Sequence, residues 1–282
     1  MQNYTDFKNL YLLCFTDDTE EDAEILFKNV LSKAKCIAEY NQNNKPIAML
    51  FLMDASIVFG GIPYPYYYLY AACTHPDYRG QGIMGKLLAK AKDTAIKENK
   101  DGIFLKPANK SLFDFYKRYE FAPYFKVCKI NSPSADFTKC YTPCSDNISK
   151  TTLEEWYLLR KTFLSELSDG YVDFSKEILT TAADGSIAIK SDIFGFVYEK
   201  RDNSLLVKEA LCKKEYIKDL FSAISYIAEE SSAQKLEIRL PVMLNEAIPF
   251  FKDLVQDFSV IWLAPNSNKQ NPASAYHGFA FD

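Results

Sequence analysis

The chain has 282 residues, of which 48% are hydrophobic and 25% charged, a balance typical of folded globular proteins and long enough for two domains. Its net charge of −4 argues against a nucleic-acid partner, because phosphate backbones bind basic surfaces. The longest apolar run, residues 47–53, is too short to cross a bilayer, and no signal-peptide pattern is visible. Seven cysteines without the paired spacing of zinc sites indicate free thiols, no metal and a cytoplasmic protein.

The first third of the chain predicts two helices followed by three strands. The helices cover residues 7–15 and 19–31, and the second begins with the capping pair Thr19 and Asp22. Apolar or aromatic runs bounded by turn-forming residues predict the strands, at residues 36–40, 47–53 and 66–74.

A glycine-containing loop then leads into a second group of elements. An amphipathic pattern predicts a helix over residues 85–99, because its leucines and alanines recur on one face. The elements predicted after it are a strand at 103–105, a helix at 112–119 and a strand at 121–130.

The second half repeats this outline. A strand at 205–212, a helix at 216–229 and a strand at 236–240 follow one another as in the first half. Pro241 and Phe251 come at nearly the same separation as Pro107 and Tyr116. We therefore interpret the chain as a tandem duplication. The predicted organisation is a first domain at residues 1–130, a proline- and serine-containing linker at 131–149 and a second domain at 150–282.

The segment THPDYRGQGIMGKLL, residues 74–88, carries the strongest local signal. Gly80, Gly82 and Gly85 lie where a strand has ended and a helix begins. Glycines let backbone N–H groups approach an oxyanion closely, and the first turn of a helix adds unpaired N–H donors. The pattern predicts a pyrophosphate-binding loop, with a glycine turn that binds no ligand as the alternative.

Two other nucleotide loops fit poorly. Residues 80–85 match the sequence pattern GxGxxG. A dinucleotide site, however, needs an acidic residue after the next strand, and Lys106 and Pro107 occupy that position. An ATP-type loop needs Ser or Thr after its lysine, and Leu87 follows Lys86.

The loop Arg79–Met84 resembles the acetyl-CoA loop of the GNAT superfamily of N-acetyltransferases, Arg/Gln-x-x-Gly-x-Gly/Ala, with Met84 in place of the last small residue. A second family pattern also matches, with Asn109 seven residues before Tyr116 and Glu120 replacing the usual glycine before Phe. The longer stretch resembles the two-domain, Eis-like branch. This resemblance implies an α+β fold of tandem GNAT-like domains, each a mixed, mostly antiparallel sheet flanked by helices, the second degenerate.

The resemblance also implies acetyl-CoA as cosubstrate. Its pantetheine would pair with a splayed strand, and its pyrophosphate with the loop. The implied cofactor-binding residues are Ala72, Cys73, Thr74, Arg79, Gly80, Gln81, Gly82, Ile83, Met84, Gly85 and Asn109.

Three groups are candidates for acid–base chemistry. Tyr116 is the expected general acid for the thiolate of CoA, with packing in an aromatic helix as the alternative. His75 precedes a proline and fits a loop residue. In Eis-like relatives the terminal carboxylate is proposed to reach the active site, which nominates Asp282, although a frayed terminus is the alternative.

The expected function is transfer of an acetyl group, by direct attack, to the primary amine of a small molecule or peptide. A non-catalytic acetyl-CoA sensor is the main alternative. A peptidoglycan-type aminoacyl transferase, whose family pairs two such domains but generally lacks the CoA loop, is the other.

Overall fold

A computed structural model describes residues 4–168, 170–248, 250, 255–265, 267 and 275–279. These residues form two compact units. The first contains residues up to 57, residues 63–123 and the stretch from 260, and the second contains residues 58–62, 124–259 and the stretch from 271.

The helices are α1 (Tyr4–Cys14), α2 (Glu20–Leu26, continued by the π-helical turn Phe27–Leu31), α3 (Ile83–Lys97), α4 (Lys110–Lys117), α5 (Ser134–Cys140), α6 (Leu153–Leu167), α7 (Lys176–Ala182) and α8 (Ile217–Glu230). The strands are β1 (Lys35–Tyr40), β2 (Pro46–Phe59), β3 (Ile62–Thr74), β4 (Gly102–Leu105), β5 (Ala122–Pro133), β6 (Ser149–Thr151), β7 (Gly170–Phe174), β8 (Ile187–Lys190), β9 (Phe194–Arg201), β10 (Ser204–Cys212), β11 (Lys235–Leu240) and β12 (Val255–Leu263). Short 3-10 helices lie at Pro76–Tyr78, Lys214–Tyr216 and Val242–Ala247.

The sheet of the first unit has the strand order β1-β2-β3-β4-β12, with β12 contributing its last residues. β1 with β2 and β12 with β4 are antiparallel, whereas β3 and β4 are parallel and joined through α3. α3 buries Leu87 and Leu88 against Ile103 of β4. Each buried leucine contributes about 1.5–3 kcal/mol, so the apolar stripe that predicted this helix also fastens it to the sheet.

The sheet of the second unit has the order β5-β11-β10-β9-β8-β6. β10 and β11 are parallel and joined through α8, and the other neighbours are antiparallel. Each unit therefore contains a parallel strand pair joined by a crossover helix. The two pairs lie at corresponding positions in the predicted repeat. The predicted fold class, a mixed, mostly antiparallel sheet flanked by helices, is confirmed.

The segment 131–149 differs from the predicted linker. Its first residues complete β5, and α5 follows directly. Phe137 of α5 and Tyr141 are buried against Phe221 of α8, with ring centroids 5.3 Å and 4.8 Å from it. Pro133 immediately precedes α5, a position where proline is tolerated because the first N–H groups of a helix are unbonded. The proline that indicated a linker therefore begins a packed helix.

Four strands contain residues of both units: the end of β2, from Val58, and the first residue of β3, Ile62, belong to the second unit. β5 lies in the second unit from Tyr124 onward, and β12 lies in the first from Val260 onward. The assignment of the contiguous ranges 1–130 and 150–282 to two domains thus stays a prediction drawn from the repeated pattern.

Within the part of the chain described, no helix is long and apolar enough to span a membrane. The same residues contain no cluster of three or more His, Cys, Asp or Glu placed to hold a metal ion.

Candidate active site

The loop between β3 and α3 is tied to the end of the strand. Nδ1 of His75 accepts a hydrogen bond from the backbone N–H of Asp77 at 3.3 Å, which opens the 3-10 helix. Nε of Arg79 donates to the carbonyl oxygen of Thr74 at 3.0 Å. His75 is therefore a loop-capping residue, as its place before a proline indicated.

Glycine begins α3 for a conformational reason. Gly82 precedes the helix with φ 73° and ψ 9°, a left-handed conformation that costs other L-residues roughly 1–2 kcal/mol. The N–H groups of the residues that follow it, Ile83 to Gly85, belong to the first helical turn, which leaves donors unpaired. Together with the positive end of the helix dipole they form a site for an anion.

Gly85 is required by packing instead. A Cβ atom at this position would lie 2.6 Å from Oη of Tyr119, which follows α4. The absence of a side chain lets the first turn of α3 lie directly against Tyr119. This explains why the glycine pattern extends one position beyond the family consensus.

β3 continues beyond its pairing with β4 beside this loop. Within the described register they pair only from Tyr66 to Tyr68, whereas β3 continues to Thr74. Ala71 has φ 51°, a conformation uncommon for a residue with a side chain. The strand thus changes direction at Ala71, and the residues after it no longer pair with β4. The splay that the resemblance implies stays a prediction, because β4 itself ends at Leu105.

The end of β3, the loop and α4 enclose one cleft of about 520 Å³, within the range of small-molecule sites. The predicted cofactor residues that line it are Ala72, Cys73, Thr74, Arg79, Gly80, Gly82, Ile83, Met84 and Gly85. Gln81 and Asn109 are exposed and are not part of the lining that the described residues form.

Tyr116 lines the same cleft from α4. It is 6% exposed, and its ring packs edge-on against Phe115 and Phe121. Burial raises the pKa of its hydroxyl above the ordinary value of 10, since the phenolate would lose its hydration. The hydroxyl therefore stays protonated and can donate a hydrogen bond.

Asn109 has a structural position. Its Oδ1 accepts hydrogen bonds from the backbone N–H of Leu112 at 3.3 Å and from Oγ of Ser111 at 2.7 Å. It is thus the N-cap of α4, a role for which asparagine is favoured. The seven-residue spacing to Tyr116 is the distance from the cap of this helix to its last turn.

Neither the remaining acid–base candidate nor the second histidine of the chain, His277, is among the described residues that line the cleft. Asp282 lies outside the described residues. His277 is fully buried in the second unit, where Nδ1 lies 2.8 Å from Oγ of Ser259 and the ring packs edge-on against Phe125 and Phe258.

Sequence reasoning missed several residues of this region. Cys14 and Phe15, at the end of α1, and Arg118 line the cleft. Tyr11 of α1 donates to the carboxylate of Asp18, and its hydroxyl lies 3.3 Å from that of Tyr70 on β3. Burial raises the pKa of Tyr70 to about 12. The sequence has an acidic cluster at residues 17–24. The preferred interpretation of this cluster is helix capping, so it does not indicate that Asp18 lies near Tyr11.

The second unit has a cleft of its own, of about 620 Å³. None of the described residues that line it is a glycine. Nζ of Lys213 forms an ion pair with Oε2 of Glu166 at 3.0 Å there.

Comparison with known proteins finds a family match in the first part of the chain. Residues 2–124 match the profile of the family described as acetyltransferase (GNAT) domain. No curated protein gives a significant match to the chain.

Solved structures resemble the fold over nearly the whole chain. A GCN5-related N-acetyltransferase from Anabaena variabilis superposes with a TM-score of 0.72 at 16% identity, covering 94% of this chain and 71% of that one. A probable N-acyltransferase from Enterococcus faecalis gives a TM-score of 0.71 at 15% identity, with coverages of 93% and 70%. Eis1 from Mycobacterium abscessus gives 0.66 at 11% identity, with coverages of 93% and 71%. At such identities the likeness establishes the fold.

Proposed function

Because residues 2–124 match the acetyltransferase (GNAT) domain family, we propose that this protein transfers an acetyl group from acetyl-CoA to the primary amine of a small molecule or peptide. One observation carries the proposal. The anion-binding start of α3 and the unpaired edge of β3 meet in a single cleft, which suits a ligand with a pyrophosphate at one end and an amide-containing arm.

The residues present fit acetyl-CoA. The left-handed glycines Gly80 and Gly82 would meet nothing within 4 Å if each carried a Cβ, so the space beside them is open to phosphate groups. Arg79 is exposed at the same loop and adds positive charge. The backbone groups of Ala72 to Thr74 would pair with the amides of pantetheine.

The same strand edge would activate the thioester. A backbone N–H within residues 72–74 would donate to the thioester carbonyl oxygen, where negative charge would develop as the amine attacks. A fixed donor of this kind lowers the barrier by about 3 kcal/mol. The donor needs no reorganisation, because β3 is held on its other side, as the hydrogen bond from His75 N–H to the Ile47 carbonyl at 2.8 Å shows.

Tyr116 would assist the leaving sulfur. Its raised pKa makes complete proton transfer less favourable than from an ordinary tyrosine, but it keeps the hydroxyl protonated throughout the working pH range. We assign it the donation of a hydrogen bond to the thiolate as that charge forms, followed by the proton.

Asp18 is a second candidate base, beside the C-terminal Asp282. A chain of hydroxyls leads from Tyr70, next to Ala71, through Tyr11 to the carboxylate of Asp18. Asp18 is half-buried, so the chain would carry the amine's proton from β3 towards the surface.

The test incubates the full chain with acetyl-CoA and a panel of primary amines, and measures free CoA and acetylated amine by chromatography. Amine-dependent release of CoA supports the proposal. Saturable binding without turnover across the panel would identify the sensor instead. No binding of acetyl-CoA would exclude both functions.

A further inference from the structure

Two cysteines that are far apart in the sequence meet in the wall of the cleft. Cys14 ends α1 and is half-buried, and Cys73 lies on β3 with 7% of its surface exposed. Sγ of Cys14 lies 3.6 Å from the carbonyl oxygen of Thr74, the residue that follows Cys73, and the two thiols are close enough to shift each other's pKa. Both residues line the cleft and are therefore open to a small molecule that enters it.

The surroundings make the two thiols unequal. The neighbouring thiol of Cys73 and the nearby charge of Arg79 lower the pKa of Cys14 to about 7. The neighbouring thiol of Cys14 and burial raise the pKa of Cys73. Cys14 is thus the more readily ionised of the two thiols, and Cys73 is the one that keeps its proton. A third thiol nearby, Cys36, has its pKa raised by burial to about 12.

We propose that Cys14 and Cys73 form a redox-active dithiol in this cleft, in which Cys14 attacks low-molecular-weight disulfides and Cys73 resolves the product. The Cys14 thiolate attacks one sulfur of the disulfide R–S–S–R, forming Cys14–S–S–R and releasing R–S⁻. The thiol of Cys73 then loses its proton to solvent and attacks Sγ of Cys14, which releases the second R–S⁻. Two protein thiols are oxidised to one disulfide, and one small disulfide is reduced to two thiols, so the electrons balance.

The product would alter the proposed cofactor site. A disulfide requires a sulfur–sulfur distance of about 2.05 Å, so it joins the end of α1 to β3 beside the backbone groups at Ala72 and Thr74. We expect the oxidised protein to bind acetyl-CoA at least about tenfold more weakly. This consequence rests on the proposed function, whereas the thiol chemistry does not.

The experiment uses the reduced full chain, freed of reductant, and one equivalent of the neutral disulfide 4,4′-dithiodipyridine at pH 6. A thiol with the pKa of Cys14 should react about sixfold faster there than one with a pKa near 8.5, after allowing for its lower nucleophilicity. The absorbance of the released thiopyridone gives the rate, and both halves of the reagent should be released. Mass spectrometry of the digested, acid-quenched protein should then show the peptide of Cys14 joined to that of Cys73.

Three variants sharpen the result. Cys73→Ser should stop the reaction at a stable mixed disulfide on Cys14, with only half of the reagent released. Cys14→Ser should abolish the fast phase. Cys36→Ser is the matched control, and it should leave the fast phase and the linked peptide unchanged.

The proposal fails if the wild-type protein yields no Cys14–Cys73 peptide, or if the exposed thiol of Cys140 is the first to react. Neither result depends on the folding of a variant. Failure of the dithiol chemistry with intact amine acetylation would leave the proposed function standing. Formation of the disulfide without any acetyl-CoA binding would support the dithiol chemistry and contradict the proposed function.

Discussion

Replacing Gly82 by valine tests the anion-binding loop directly. At φ 73° the substitution forces an L-residue into a left-handed conformation, which costs roughly 1–2 kcal/mol or more for a β-branched side chain. A loss of this size lowers the melting temperature by about 2–8 °C. The protein should therefore remain folded at room temperature.

The effect on binding should be larger. The valine side chain would occupy the open space beside the first turn of α3 and keep the phosphates from its N–H donors. Loss of one hydrogen bond to a charged group costs about 1.5–3 kcal/mol, so Kd for acetyl-CoA should rise about 10- to 150-fold. Isothermal titration of the full chain measures this change.

Gly185 provides the matched control. Its φ is 71°, a Cβ there would also meet nothing within 4 Å, and it lies on a turn of the second unit. Gly185→Val should lower the melting temperature by a similar amount and leave Kd unchanged. An unaltered Kd in Gly82→Val, or an equal loss in both variants, would refute the role assigned to the loop.

Three other variants have defined outcomes. Tyr116→Phe should lower turnover about 10- to 1,000-fold with little change in acetyl-CoA affinity. The control Tyr119→Phe, which removes another hydroxyl from the same cleft, should leave turnover unchanged. Equal turnover in the two variants would mean that Tyr116 only packs in the core. Asp18→Asn should lower turnover with little change in acetyl-CoA affinity, whereas an unchanged turnover would exclude Asp18 as the base. Arg160→Met should destabilise the second unit by about 3–5 kcal/mol in urea unfolding, because it strands Glu209, to which Arg160 Nε donates at 2.8 Å with both side chains almost fully buried. Adding Glu209→Leu should recover most of that loss, and a double variant as unstable as the single one would contradict this.

The sequence predicted the parts of the site that lie close together along the chain. The glycine loop, the helix that it begins and Tyr116 on the following helix all come from residues 74–119, where periodicity and turn chemistry are local signals. The predicted helix at 85–99 forms over Ile83–Lys97, a difference of two residues at each end that is usual for helix boundaries.

Contacts between distant segments left no such signal. Cys14 and Cys73 meet only because α1 packs beside the end of β3, and neither has a neighbour in sequence that indicates the other. The same holds for Tyr11, Asp18 and Tyr70. The division of β5 and β12 between the units depends on which strands they pair with. The apolar sequence of a strand does not specify its partner.

The second unit repeats the parallel strand pair and its crossover helix. Its described residues between β10 and α8 include no glycine, which leads to a prediction of the binding stoichiometry. Between β10 and α8 stand Lys213, Lys214, Glu215 and Tyr216, where the first half has its glycines. Side chains at these positions prevent the close approach of phosphate to backbone N–H groups. Lys213 does offer a positive charge, but Glu166 neutralises it at 3.0 Å.

We therefore expect one acetyl-CoA per chain, bound by the first unit. Gly82→Val separates this expectation from its alternative. If only the first unit binds, the variant loses affinity at every site that the wild-type titration counts. If the second unit also binds, the wild-type protein takes up two equivalents, and Gly82→Val retains one of them at undiminished affinity. That second pattern would show that glycines are dispensable for the site, and would contradict the argument made from Lys213 and its neighbours.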